Sequence, residues 1–150
     1  MAIDWERLTE EMKAEVARLE FEWIDFHHTA STKHPNLKLF IDRRNAPLTI
    51  DDATFLTRIL VNWLQTKLPE TVDFRLDISS PGLDRPFHQP WQFTKHIGAT
   101  VQITTRNEQR ITIGILTASE EVGATIEPVD GEPVTIPWEN IGEGKVVLAE

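Results

Sequence analysis

The chain has 150 residues, 40% hydrophobic and 26% charged, the composition of a soluble globular protein of one ordinary domain or two small ones. It contains no cysteine, which excludes disulfides, cysteine-ligated zinc or iron–sulfur sites, and a thiol nucleophile. The formal net charge is −9: residues 1–79 carry 14 acidic and 10 basic side chains, residues 80–150 carry 10 and 5. Recognition led by nucleic acid draws on an excess of Lys and Arg, so this balance argues against RNA-led binding and suits a basic protein partner. No apolar run approaches the ~20 residues of a membrane-spanning helix. The start, MAIDWERLTEEM, is acidic and amphipathic, unlike a secretory signal, so a cytoplasmic protein is expected.

Asp4 suits an N-cap, and Trp5, Leu8, Met12, Val16 and Leu19 follow at spacings of three and four, one apolar stripe on a helix. From Glu20 the period shifts towards two, predicting a strand that ends at His27 and His28. Thr29 to Asn36 is a polar loop. Leu37, Leu39 and Ile41 mark a second strand, antiparallel to the first. After the loop Arg43-Arg44-Asn45-Ala46-Pro47, Thr49 caps a second helix, with Asp51 and Asp52 in its first turn and Ala53, Leu56, Ile59, Leu60, Trp63 and Leu64 on its buried side. Pro69 closes it. Val72, Phe74, Leu76 and Ile78 alternate with Asp73, Arg75, Asp77 and Ser79, the cleanest strand pattern in the chain. Helix, strand, strand, helix, strand fits two helices on one face of a three-stranded sheet.

Next comes DISSPGLDRPF, residues 77–87. Pro81 presets one turn position and Gly82 supplies the positive φ a type II turn needs next. Pro86 lacks an amide hydrogen, so neither a helix nor a central strand runs through it. Beyond it, Trp91-Gln92-Phe93 opens a helical turn ending near Gly98. Strands follow at Val101–Ile103, at Ile111, Ile113 and Ile115 or Leu116, at Thr125–Val129, at Val134–Ile136 and at Val146–Leu148, with a helical turn from Trp138 to Ile141. Five short strands with such a turn before the last predict a small SH3-like barrel. The expected organisation is α+β: an N-terminal α/β sandwich domain over 1–80, a structured linker over 81–87, and an SH3-like or Sm-like β-barrel over 88–150.

Signals for chemistry are weak. His27, His28, His34, His88 and His96 form no HExxH or HxH arrangement, so no metal site is expected. Asp51/Asp52 reads as helix-end electrostatics and Glu120/Glu121 as a solvated turn. There is no GxSxG elbow, phosphate loop or dinucleotide fingerprint, so neither an enzyme nor a bound cofactor is expected. Lys33, Lys38, Arg43 and Arg44 are candidates for a basic edge on the first domain that meets RNA phosphates. Trp91, Phe93 and Trp138 read as barrel core.

SSPGLDRP after a strand, an apolar pattern WQFTKHIGATVQI beyond it, and a late IPWENI together resemble the ribosome maturation factor RimP family, over nearly the whole chain. That resemblance implies a non-catalytic, monomeric assembly factor that binds the immature small (30S) ribosomal subunit and supports its late maturation. It further implies that the barrel meets a basic small-subunit ribosomal protein near the decoding region. The signature positions carried over are Ser79, Ser80, Pro81, Gly82, Leu83, Asp84, Arg85 and Pro86, as partner contacts or as residues that set the angle between domains. Two departures weigh against RNA contacts by the barrel: the hairpin TTRNEQR is shorter and less basic than the family's usual one, and the tail GEGKVVLAE lacks the family's usual basic residue two positions before its final apolar run, having Gly144-Lys145-Val146 instead. The alternative is a stand-alone Sm/SH3-like RNA-binding module fused to an α/β domain.

Overall fold

A computed structural model describes residues 3–82, 85–107 and 109–147. The chain divides into two compact units, Met1–Pro81 and Gly82–Glu150.

In the first unit, α1 spans Trp5–Arg18 because Asp4 caps it: its carboxylate accepts the Arg7 N–H at 3.1 Å. Leu8, Met12 and Val16 form its buried stripe. β1 (Glu22–His28) and β2 (Asn36–Asp42) pair antiparallel, with a bulge in β1 between Trp23 and Asp25. α2 (Ile50–Lys67) starts at a capping box. The Thr49 hydroxyl accepts the Asp52 N–H and the Asp52 carboxylate accepts the Thr49 N–H, both at 3.0 Å.

β3 (Arg75–Ser79) runs parallel to β2, giving the order β1-β2-β3. It begins three residues later than its alternation predicts. Val72 donates its N–H to Pro69 and Asp73 to Lys33, so this stretch is held by turn and loop bonds, not by a ladder. Val72 and Phe74 still pack half-buried on the core, which is why the alternation extends past the strand. Leu56, Leu60 and Leu64 of α2 and the α1 stripe meet Leu37, Leu39, Ile41 and Leu76 in one core, so both helices lie on one face of the sheet.

The second unit opens with α3 (Pro90–Lys95), followed by β4 (Thr100–Thr105), β5 (Ile111–Ser119), β6 (Gly123–Pro128), β7 (Val134–Pro137), a 3₁₀ turn (Trp138–Asn140) and β8 (Ile141–Val146). All its pairings are antiparallel, in the order β7-β6-β5-β4-β8. Among the described residues β7 and β8 are the sheet's edges, so the ladder does not close.

Three sequence expectations are corrected here. The last strand begins at Ile141, not Val146, and Leu148 lies outside the described residues. Two glycines, Gly142 and Gly144, hide its period of two. On β5, Leu116 turns inward, while Ile111, Ile113 and Ile115 are 56%, 47% and 47% exposed on the other face. Phe87, assigned to the linker, is a core residue, 4% exposed. It exchanges two backbone hydrogen bonds of 2.8 Å with Gly144. Its ring stands edge-on to Phe93 at 4.7 Å and stacks on His96 at 4.6 Å. Gly144 is glycine because a Cβ there would lie 2.6 Å from the Phe87 ring and 2.7 Å from the Phe93 ring.

Candidate functional site

The segment with the strongest sequence signature lies where the first unit gives way to the second. β3 carries it in: Ser79 is half-buried and paired in register with Phe40 of β2. Ser80 is exposed and Pro81 half-buried. Gly82 has φ +73°, the left-handed value that the Pro-Gly order predicts, with open space where a Cβ would stand. Leu83 and Asp84 lie outside the described residues. Arg85 is half-buried and Pro86 exposed. Both ends of the segment are therefore tied down, one by the β2–β3 ladder and the other by the Phe87–Gly144 bridge.

The four candidate cations do not gather at one place. Lys33 sits in the loop before β2 and Arg43 and Arg44 follow its other end, so the seven-residue strand, roughly 20 Å long, separates them. Lys38, between them, lies with its ammonium 5.4 Å from the centre of the Phe40 ring. Arg43 pairs with Asp52 at 3.3 Å and Arg44 with Glu22 at 3.0 Å. Both arginines thus answer carboxylates of their own unit. Sequence proximity had placed all four on one edge; the extended strand sets them apart.

The titratable groups follow from these contacts. Asp52 is held below its ordinary value of 3.8 chiefly by the Thr49 N–H, with help from the Thr49 hydroxyl and Arg43. Glu11 is held below 4.5 by hydrogen bonds from Lys67 and Arg7, the first joining α1 to the end of α2 at 2.9 Å. Both shifts belong to helix caps and helix–helix pairing, not to a cleft poised for proton transfer. Among the described residues no three His, Asp or Glu side chains come together as a metal site, and no helix is long and apolar enough to cross a membrane.

The aromatic residues divide. Phe93 is fully buried and meets Trp138 edge-on at 5.3 Å. Trp138 is half-buried on the same core, its indole N–H donating to the Glu120 carbonyl at 2.8 Å. Trp91 is half-buried, with the Lys95 ammonium 5.9 Å from its ring centre. Sequence reasoning missed the outward isoleucine row of β5. Period-two alternation identifies two faces without saying which one is wet.

Residues 11–84 match the family model of the RimP N-terminal domain. The first unit belongs to the RimP family. The RimP match takes in most of α1, all of β1, β2, α2 and β3, and the signature segment as far as Asp84. Lys33, Lys38, Arg43 and Arg44 all fall within it. Arg85 and Pro86 lie just beyond, on the approach to the Phe87 anchor.

Proposed function

We propose that this chain is a ribosome maturation factor that binds the immature small ribosomal subunit, supports its late maturation, and acts by binding without covalent chemistry. The observation that carries the reading is the RimP N-terminal domain match over residues 11–84. A net charge of −9 supports docking led by a basic protein component of the subunit. The second unit is the proposed site of that contact. Its strand order, in which the last strand returns to pair with the first, and its 3₁₀ turn before β8 support an open SH3-like barrel. We assign Ser79–Pro86 to fixing the geometry between two independently folding domains and to sharing the partner surface. Of the four cations, Lys33 and Lys38 are assigned the secondary rRNA contacts, since both arginines hold carboxylates. The factor works as a monomer in the cytoplasm.

The test is depletion of the protein in its cell of origin. Unprocessed small-subunit rRNA should accumulate at the expense of mature subunits, with the large subunit unaffected. Normal small-subunit processing after complete depletion refutes the assignment.

A further inference from the structure

Among the described residues β3 ends the first unit's sheet, and its outer side borders a groove along α2. Two cavities there, about 410 and about 670 Å³, adjoin at Val61 and Leu76, which line both, and together make up a channel. Ala53 and Val61 of α2 and Leu76 and Ile78 of β3 give it an apolar floor. Its charged residues are Glu70, Asp73 and Asp77 against Arg58, with Arg75 beside Asp77 at 3.9 Å, so acidic groups remain in excess on the rim.

The backbone of β3 is the second observation. Arg75 donates its N–H to Pro35 at 3.1 Å, on the β2 side. By the alternation of a strand, Leu76 and Ile78 turn their N–H and C=O groups the other way, towards the channel. Proteins normally blunt such an edge with proline, lysine or a bulge. The opposite edge strand, β1, is bulged at Ile24. β3 has no proline and no break in its register from Arg75 to Ser79, and its two charged side chains, Arg75 and Asp77, lie 3.9 Å apart and offset each other.

We propose that the β3 edge and the α2 groove bind an extended segment of a protein partner, with alternating apolar and basic side chains, as an added strand. Its backbone would complete the Leu76 and Ile78 hydrogen bonds, its apolar side chains would fill the channel, and its basic ones would meet the acidic rim. Five residues of β3, roughly 17 Å, set the length recognised. A nucleic acid offers no alternating N–H and C=O row and is repelled by the rim. A second copy would bring the same acidic rim against itself. The inference goes beyond the maturation role and does not depend on the partner of the second unit.

The test uses the full chain and a fluorescein-labelled, end-blocked heptapeptide of alternating valine and lysine, with binding read by anisotropy. Hydrogen exchange at the Leu76 and Ile78 amides should slow on binding. N-methylation of one alternate set of peptide nitrogens should weaken binding by about tenfold or more, and methylation of the other set should leave it unchanged. Asn62→Lys, at an exposed position lining the channel, adds a charge of the peptide's own sign and should weaken binding by about threefold or more without altering the thermal transition. Equal tolerance of both methylation patterns overturns the added strand. Equal affinity for an alternating valine–glutamate peptide overturns the charge assignment, and preference for poly(U) RNA overturns the partner class. Absence of binding by the full chain overturns the site.

Discussion

Gly144→Ala tests how the chain is anchored as it enters the second unit. The added Cβ would stand 2.6 Å from Phe87 Cε2 and 2.7 and 2.8 Å from Phe93 Cε1 and Cζ. Carbon contacts settle near 3.5–4.0 Å, so the rings must retreat by about 1 Å. They have little room. Phe87 is held between Phe93 and His96, Phe93 meets Trp138, and both rings are buried. The backbone cannot easily yield either, since Gly144 exchanges two hydrogen bonds with Phe87 and pairs with Ile103 in β4. Overpacking of this kind costs about 1–3 kcal/mol, which lowers the melting temperature of a unit this size by roughly 5–20 °C. Thermal unfolding followed by NMR resonances assigned to each unit should show the second unit's transition shifted and the first unit's unmoved. Phe87→Ala in the Gly144→Ala background should be less damaging than the two single changes added together, by about 1 kcal/mol or more. A Gly144→Ala protein within about 0.5 kcal/mol of wild type, or strict additivity of the pair, refutes the anchor.

At Gly82 the strain is conformational, since no atom crowds the Cβ position. Gly82→Val should cost about 1–3 kcal/mol locally and change the small-angle scattering profile and subunit binding, while Gly82→Asn, which tolerates positive φ, should do neither; a neutral Gly82→Val makes the segment a passive linker. Thr49→Ala removes the α2 cap and should destabilise the first unit by about 0.5–2 kcal/mol in urea unfolding, leaving the second unit as it was. Asp52 and Glu11 both titrate below their ordinary 3.8 and 4.5, so their contribution is complete above those values and is lost as pH falls through the lower folded values. The first unit should therefore lose stability on acidification below about pH 4.5, less so in Asp52→Asn, and a pH-independent first unit contradicts the cap electrostatics.

Much of the first unit was legible because its signals are local. Asp4 and Thr49 announce their helices through side-chain oxygens within three residues of the N–H they accept, and the stripes behind them need only helical spacing. Signals that depend on distant partners misled. Val72 and Phe74 alternate like a strand because they pack like one, yet their backbone answers Pro69 and the loop at Lys33. β8 was displaced because Gly144 leaves space for two rings that arrive from residues 87 and 93, and a missing side chain carries no period. The same contact turned Phe87 from linker into core. The basic residues are spread out for a simpler reason, since residues near in number are held apart by the extended strand between them. At the signature segment, the turn at Gly82 was readable from Pro-Gly order alone, whereas the anchoring of its far end was not.

The central claim, a maturation factor recruited through protein and not through RNA, is tested most directly by co-sedimentation of the full chain with immature small subunits, mature ribosomes and protein-free small-subunit rRNA, at low and physiological salt. The account predicts binding to immature subunits that survives physiological salt, and little association with bare rRNA at either salt. Tight, steeply salt-dependent binding to bare rRNA without binding to subunits would contradict it.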